Sequence, residues 1–239
     1  MDDIRLNSIG TIHSCFKEKF GVPRQAGLVK EAPATLIFHP EYARVDAVRE
    51  LERFSHIWVL FVFHLSVRDT WPEMVRPPRL GGNRKVGVFA SRSPFRPNPI
   101  GMSAVKLDRI EITDKGPILH LKGVDMVDQT PVLDIKPYLP YSDIIKEATG
   151  GFAHEAPIPV FEIRFSPDAD MTLNHMGKHN PDLRNIIIQM LGQDPRPAYY
   201  ENNASDHSKI FGIRIFDHDV KWQVRDHMIL VLSLDPVQT

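Results

Sequence analysis

Arg92, Arg96 and Asn98 are spaced along Ser91-Arg-Ser-Pro-Phe-Arg-Pro-Asn-Pro-Ile-Gly101, among three prolines and ahead of a glycine. Prolines at this density stiffen an irregular backbone. Guanidinium and amide groups held on such a backbone make directed hydrogen bonds, the arginines in a two-pronged fashion, to a carboxylate or a phosphate. The loop lies inside Met74–Leu107, which has seven Lys/Arg and no Asp or Glu, whereas the rest of the 239-residue chain has 22 basic and 30 acidic residues. A one-signed, rigid segment on an otherwise acidic chain suits an anionic ligand. A basic surface strand with proline corners has the same composition, so charge alone does not specify the ligand.

Three further clusters carry directed polar groups. Arg24 and Gln25 stand between Pro23 and Gly27. His64 ends a long apolar run, and Asp125-Met-Val-Asp128 leads into Thr130-Pro-Val-Leu-Asp134-Ile-Lys136-Pro-Tyr138. Each has a structural alternative: a histidine satisfied at a strand end, or aspartates serving as turn residues. Phosphate-loop, dinucleotide-fingerprint and nucleophile-elbow patterns are missing. His175 and His179 have metal-ligand spacing, but Gly177 separates them and no Glu follows the first, so no metal is assigned. The single Cys15 excludes an intrachain disulfide framework and a cysteine-based zinc site.

The elements that must hold these groups read mostly as strands. Short β-rich runs cover 8–13, 35–39, 86–90, 102–112, 118–121, 132–135 and 160–165. The nearly all-apolar 55–64 predicts a strand buried on both faces. One helix is expected over 40–54, from Val45, Val48, Leu51 and Phe54 at intervals of three. Many short strands with few helices argue for a mainly β fold, a single-sheeted antiparallel barrel, and against a doubly wound sheet. Around 141–159, glycines and prolines mark a linker. The expected division is a barrel over 1–147 and a small α+β domain over 148–239. In the latter, Asn180-Pro181 opens a helix with Leu183, Ile186, Ile187, Met190 and Leu191 as its apolar stripe, ended by Gly192. The last thirty residues alternate as a hairpin or meander.

A net charge of −1 gives no general affinity for nucleic acid, so any such contact must use a local patch. Acidic residues after Met1 do not suit a signal peptide, and the longest apolar run, 57–63, is too short to span a bilayer. A cytoplasmic protein without a membrane segment is expected.

Pro23-Arg24-Gln25, Val75-Arg-Pro-Pro-Arg-Leu-Gly-Gly-Asn83, Gly87-Val-Phe-Ala-Ser-Arg-Ser-Pro-Phe-Arg-Pro-Asn-Pro-Ile-Gly101 and Asp134-Ile-Lys-Pro-Tyr138 closely resemble the TsaA-like (YaeB, TrmO) family. The similarity runs on through Gln193-Asp-Pro-Arg-Pro-Ala-Tyr199 and so covers almost the whole chain. It implies an S-adenosylmethionine-dependent tRNA methyltransferase built as a homodimeric β-barrel. The implied product is N6-methylated threonylcarbamoyl-adenosine, the nucleoside just 3′ of the anticodon at tRNA position 37. The resemblance implies a cofactor site of Pro23, Arg24, Gln25, His64, Leu65, Arg92, Met102, Asp125, Met126, Val127 and Asp128. Asp128, Lys136 and Tyr138 are the catalytic candidates; Arg96, Asn98, Asp194, Arg196 and Tyr199 are the candidates for tRNA contact.

The residue chemistry is compatible with this. Carboxylates can take the ribose hydroxyls or the amino group of S-adenosylmethionine, and arginine its carboxylate. The acylated N6 must lose a proton, for which Asp128 or His64 is a candidate base, with Lys136 or Tyr138 polarising the adjacent carbonyl. The residues alone also allow a non-catalytic nucleotide- or RNA-binding barrel, or a methyltransferase for a small molecule.

Overall fold

The computed structural model describes residues 4–178, 180–196 and 209–237. It divides into two compact units. One comprises 1–15, 24–72 and 92–147; the other comprises 16–23, 73–91 and 148–239. The second unit therefore takes two segments from the region the sequence assigns wholly to the barrel. The basic stretch 74–107 is divided accordingly, with Arg76, Arg79, Arg84 and Lys85 in the second unit and Arg92, Arg96 and Lys106 in the first.

The first unit is the expected mainly β barrel. Its strands are β1 (Gly10–Ser14), β2 (Pro33–Phe38), β3 (His56–Val62), β6 (Ile100–Thr113), β7 (Gly116–Lys122) and β8 (Thr130–Pro137). They close in the order β1-β2-β7-β6-β3-β8, every pair antiparallel. A single helical turn, α1 (Pro140–Asp143), follows β8. Closure leaves each strand one inward face, so buried residues alternate along it. Ile12, Leu36, Ile57, Val59, Phe61, Val105, Leu119, Leu121 and Val132 fill the interior.

Closure also corrects one sequence expectation. β3 is apolar after His56 but buried on one face only, with Trp58, Leu60 and Val62 half-buried outside. A second correction is local. The helix expected over 40–54 is a pair of 3₁₀ turns, Val45–Val48 and Leu51–Arg53, separated by Glu50 at φ 67°. Apolar residues at intervals of three match the three residues per turn of that tighter helix.

The second unit contains a two-stranded ribbon of β4 (Met74–Val75) and β5 (Val86–Gly87). The rest of the strand expected over 86–90 is a 3₁₀ turn, Val88–Ala90. A four-stranded sheet has the order β10-β11-β12-β9, from β9 (Glu162–Phe165), β10 (Ile210–Ile215), β11 (His218–Arg225) and β12 (Met228–Pro236). The 160–165 run thus joins this sheet, parallel to β12, and not the barrel. Two helices belong to the same unit, α2 (Pro167–Met176) and α3 (Leu183–Gly192). The helix expected from Asn180 starts at Leu183, while α2 went unpredicted although its signal is present. Ser166 precedes Pro167, and its hydroxyl accepts from the Ala169 amide at 3.1 Å. Among the described residues, no helix is long and apolar enough to cross a membrane.

One contact sets the register on which the barrel's functional end depends. Phe61 on β3 stands opposite Gly101 on β6, and its ring lies so close that a Cβ on Gly101 would come within 2.3 Å of it. Replacing Gly101 by alanine must displace a buried ring. The expected cost is about 1–3 kcal/mol, read as a lower midpoint in chemical denaturation; an unchanged midpoint would show that the ring can yield freely.

Candidate functional site

The loops that leave the barrel at the end of β3 carry most of the predicted cofactor residues. The Phe63 amide donates to the Pro99 carbonyl at 2.8 Å, so His64 and Leu65 follow directly from the anchor of the proline-rich loop. That loop is internally braced. The Arg96 amide donates to the Pro94 carbonyl at 3.0 Å, the Ile100 amide to the Asn98 carbonyl at 2.7 Å, and Arg68 stacks 4.0 Å over Phe95. Arg92 is exposed and donates to the Gln25 Oε1, tying the proline-rich loop to the 24–27 loop. Gln25 in turn donates to the Arg24 carbonyl, and the Gly27 amide donates to the Gly123 carbonyl at 2.9 Å. The loops with Arg92, Gln25 and Asp125 are thereby brought together. Pro23 lies in a segment of the second unit, and Met102, opposite Leu60, is 58 % exposed.

Asp125 is the most unusual group here. Burial pushes its carboxyl above the ordinary 3.8, while hydrogen bonds from Ser103 and from the backbone of Asp125 and Ala26, and the charge of Arg92, pull the other way. Its Oδ1 is buried and has no hydrogen-bond partner among the described residues. A carboxylate oxygen held this way costs free energy unless a donor reaches it. Hydroxyl or ammonium donors of a ligand would meet that need, and Arg92 is placed for an anionic end. This donor-and-acceptor set fits an amino-acid-bearing nucleoside such as S-adenosylmethionine.

Burial pushes the His64 imidazole below its ordinary pKa, against a backbone hydrogen bond at Val62 that pulls the other way. Its Nδ1 lies 3.5 Å from the Thr130 hydroxyl, which donates to the Val127 carbonyl at 2.7 Å. Asp128 holds the fold together locally, since its Oδ1 accepts from the Ser14 amide at 3.0 Å, and the Ser14 hydroxyl donates to the Met126 carbonyl at 2.7 Å. His13 joins this corner, its Nδ1 being 3.0 Å from Gln129 Nε2 and 3.9 Å from Asp128 Oδ1. His13, Ser14 and Gln129 are absent from the residues the sequence singles out. Only the positive φ of 65° at Gln129 distinguishes the turn, and nothing in the sequence announces it.

Lys136 and Tyr138 are not beside this group within one chain. Along β8, Lys136 lies six residues from Thr130, roughly 20 Å in an extended strand. Lys136 pairs with Asp134 at 3.0 Å, and the Tyr138 ring sits 5.6 Å from Trp58, towards the other end of the barrel wall. In the second unit, Arg196 forms a two-pronged ion pair with Asp194, both contacts at 2.8 Å. Their side chains are only 12 % and 10 % exposed, and Arg196 also lies over Phe161, so this is a scaffold contact. Tyr199 and His179 lie outside the described residues. Among those described, no group of three or more His, Cys, Asp or Glu could hold a metal.

Residues 11–144 match the model of the tRNA-methyltransferase O N-terminal domain, and 158–237 match that of the TrmO C-terminal domain. The chain belongs to the TrmO family. It is 44% identical over 236 residues to the tRNA (adenine(37)-N6)-methyltransferase of Escherichia coli, covering 99% of this chain and 100% of that protein. A Pseudomonas aeruginosa relative named "Putative S-adenosylmethionine-dependent methyltransferase RcsF" is 43% identical and aligned over 96% of each chain. The crystal structure of TrmO from that organism superposes with a TM-score of 0.80 at 36% identity, covering 99% of this chain and 98% of that one.

Replacing Asp125 by asparagine tests the buried carboxylate. A carboxyl whose folded value is raised stabilises the fold below its ordinary value, and that contribution is lost as pH rises through the raised one. Asp125→Asn should therefore melt higher than wild type near neutral pH, and the difference should vanish below pH 3.8. Thermal unfolding across that range decides it; a variant that melts lower at every pH would mean the carboxylate is fully satisfied.

Proposed function

We propose that this protein transfers a methyl group from S-adenosylmethionine to N6 of adenosine 37 in tRNA. Full-length membership of the TrmO family supports the reaction class, and the unpartnered Asp125 oxygen beside Arg92 supports the barrel end as the place where the cofactor binds. Arg24, Gln25, His64, Leu65, Arg92, Met102 and the 125–128 turn would hold it, with Pro23 leading into the first loop. When bound, S-adenosylmethionine supplies an electrophilic methyl on a cationic sulfur. A neutral His64 avoids repelling that charge, which a protonated ring would not.

The chain's own part is positioning and proton removal. N6 gains the methyl and must release its proton. Threonylcarbamoyl-adenosine is the substrate we favour, because an acylated N6 holds a more acidic proton. The two base candidates differ in their surroundings. Asp128 already has one oxygen on the Ser14 amide, while burial favours the uncharged, proton-accepting form of His64. His64 is therefore the preferred proton acceptor and Asp128 the group that fixes the adjoining turn.

Nucleoside mass analysis of tRNA incubated with the protein and S-adenosylmethionine should show a gain of one methyl group on threonylcarbamoyl-adenosine. His64→Gln should remove it. Asp128→Asn, which keeps an acceptor for the Ser14 amide, should fold and retain at least part of it. A dead but folded Asp128→Asn with an active His64→Gln would reverse the assignment. Binding of tRNA with no product and no effect of the cofactor would favour a non-catalytic RNA-binding barrel.

We further propose a cytoplasmic homodimer whose two-fold symmetry brings Lys136 and Tyr138 of one subunit to the other's cofactor site. Exposed apolar residues at Leu65, Val67, Trp71, Ile100, Met102 and Ile145 support an interface on the barrel. Mixing Arg92→Ala with Lys136→Ala should then restore activity, approaching about a quarter of wild type after free subunit exchange, since half the dimers are mixed and each has one intact site. No recovery in demonstrably mixed dimers would place each active site within a single subunit.

A further inference from the structure

The second unit carries a set of cations that the barrel site does not use. The ribbon β4–β5 holds up the ten-residue loop 76–85, which contains Arg76, Arg79, Arg84 and Lys85 and no acid. Its backbone is constrained: Pro77 and Pro78 lead into a 3₁₀ turn, Pro78–Leu80, and Gly81 and Gly82 adopt φ of 65° and 69°. The base is clamped by the Val88 amide, which donates to the Glu73 carbonyl at 2.9 Å. Arg79 is committed to the Glu155 carbonyl. Arg76, Arg84 and Lys85 are exposed, and among the described residues no carboxylate pairs with any of them. Other cations of the second unit differ: Arg164, Arg184, Arg196, Arg214 and Lys221 each have an acidic partner. Just past the ribbon, the Phe89 side chain is 70 % exposed.

Three exposed cations on a proline- and glycine-braced loop, with no carboxylate paired to them among the described residues, present a local positive field to an anionic partner. An exposed aromatic ring four residues beyond Lys85 adds a surface on which an unpaired base can stack. Charges without a two-pronged polar counterpart suit a repeating phosphate backbone better than a single small anion. We propose that the 76–85 loop is an RNA-backbone clamp, in which Arg76, Arg84 and Lys85 contact successive phosphates of the tRNA and Phe89 stacks on an unpaired base. This rests on tRNA being the substrate, and it assigns RNA contact to a segment lacking the barrel's cofactor residues.

The test compares tRNA binding by fluorescence anisotropy, over a series of salt concentrations, for wild type and two triple variants. The clamp variant is Arg76→Ala/Arg84→Ala/Lys85→Ala. The control, Arg49→Ala/Arg53→Ala/Lys115→Ala, removes the same charge from the barrel. The clamp variant should bind roughly tenfold to a thousandfold more weakly, with the slope of log K against log salt reduced by about 2–3. Its melting temperature and its S-adenosylmethionine binding in calorimetry should be unchanged. Phe89→Ala should weaken binding by roughly five- to a hundredfold with the salt slope intact. The control should bind like wild type. Wild-type affinity and slope in a folded clamp variant would overturn the proposal, as would an equal loss in the control, which would mean that net charge alone matters. A clamp variant that melts lower is replaced by Arg76→Gln/Arg84→Gln/Lys85→Gln, judged by the same slope. If the wild-type protein binds no tRNA at all, the tRNA reading itself has failed and the clamp with it.

Discussion

The contact of the Phe61 ring with Gly101 is the constraint on which the functional end of the barrel depends. β3 pairs with β6 on one side and β8 on the other, and the ring can lie over the neighbouring strand only where that strand has no side chain. This fixes Gly101 opposite Phe61. The consequences then follow along the chain. Phe63 meets Pro99, His64 emerges where the proline-rich loop begins its brace, and Arg92 at the far end of that loop reaches Gln25. A one-residue slip would exchange the inward and outward faces of β6, turning Ser103 away from Asp125.

The site is built by opposing costs. Burial raises the free energy of an ionised Asp125 and disfavours protonation of His64. Both effects suit the cationic, donor-rich ligand proposed for this site: a carboxylate oxygen there would gain donors, and an uncharged imidazole would add no repulsion. Asp128 shows the opposite arrangement, with its negative charge already engaged by the backbone of β1.

Charge is divided between the units by the same logic. The basic stretch is continuous in sequence, yet the chain passes from one unit to the other within it, after Ser91. Arg92 and Arg96 stay on the barrel, and Arg92 is engaged with a neighbouring loop. Arg76, Arg84 and Lys85 stand on a separate ribbon, while Arg196, the expected phosphate contact, is paired with Asp194. Ion pairing, which linear sequence does not display, distinguishes a cation that binds a partner from one that supports the scaffold.

Short strands with few helices made the barrel class legible in the chain itself, and long motif strings around Arg92, Gly101 and Lys136 did the same for the family. The groups of the candidate site were marked too, because prolines and glycines frame them and turn chemistry is local. Other features belong to the folded molecule. Whether the apolar β3 is covered on two faces or one depends on closure, a non-local event. Whether apolar residues at intervals of three make an α-helix or 3₁₀ turns was decided by a left-handed residue at Glu50. That the 16–23 and 73–91 segments leave the barrel unit, that Lys136 lies far along the wall from Asp128, and that among the described residues one Asp125 oxygen has no hydrogen-bond partner all depend on which residues meet across the fold. Spacing along the chain carries no record of those meetings, because they arise from strand register and the packing of distant segments.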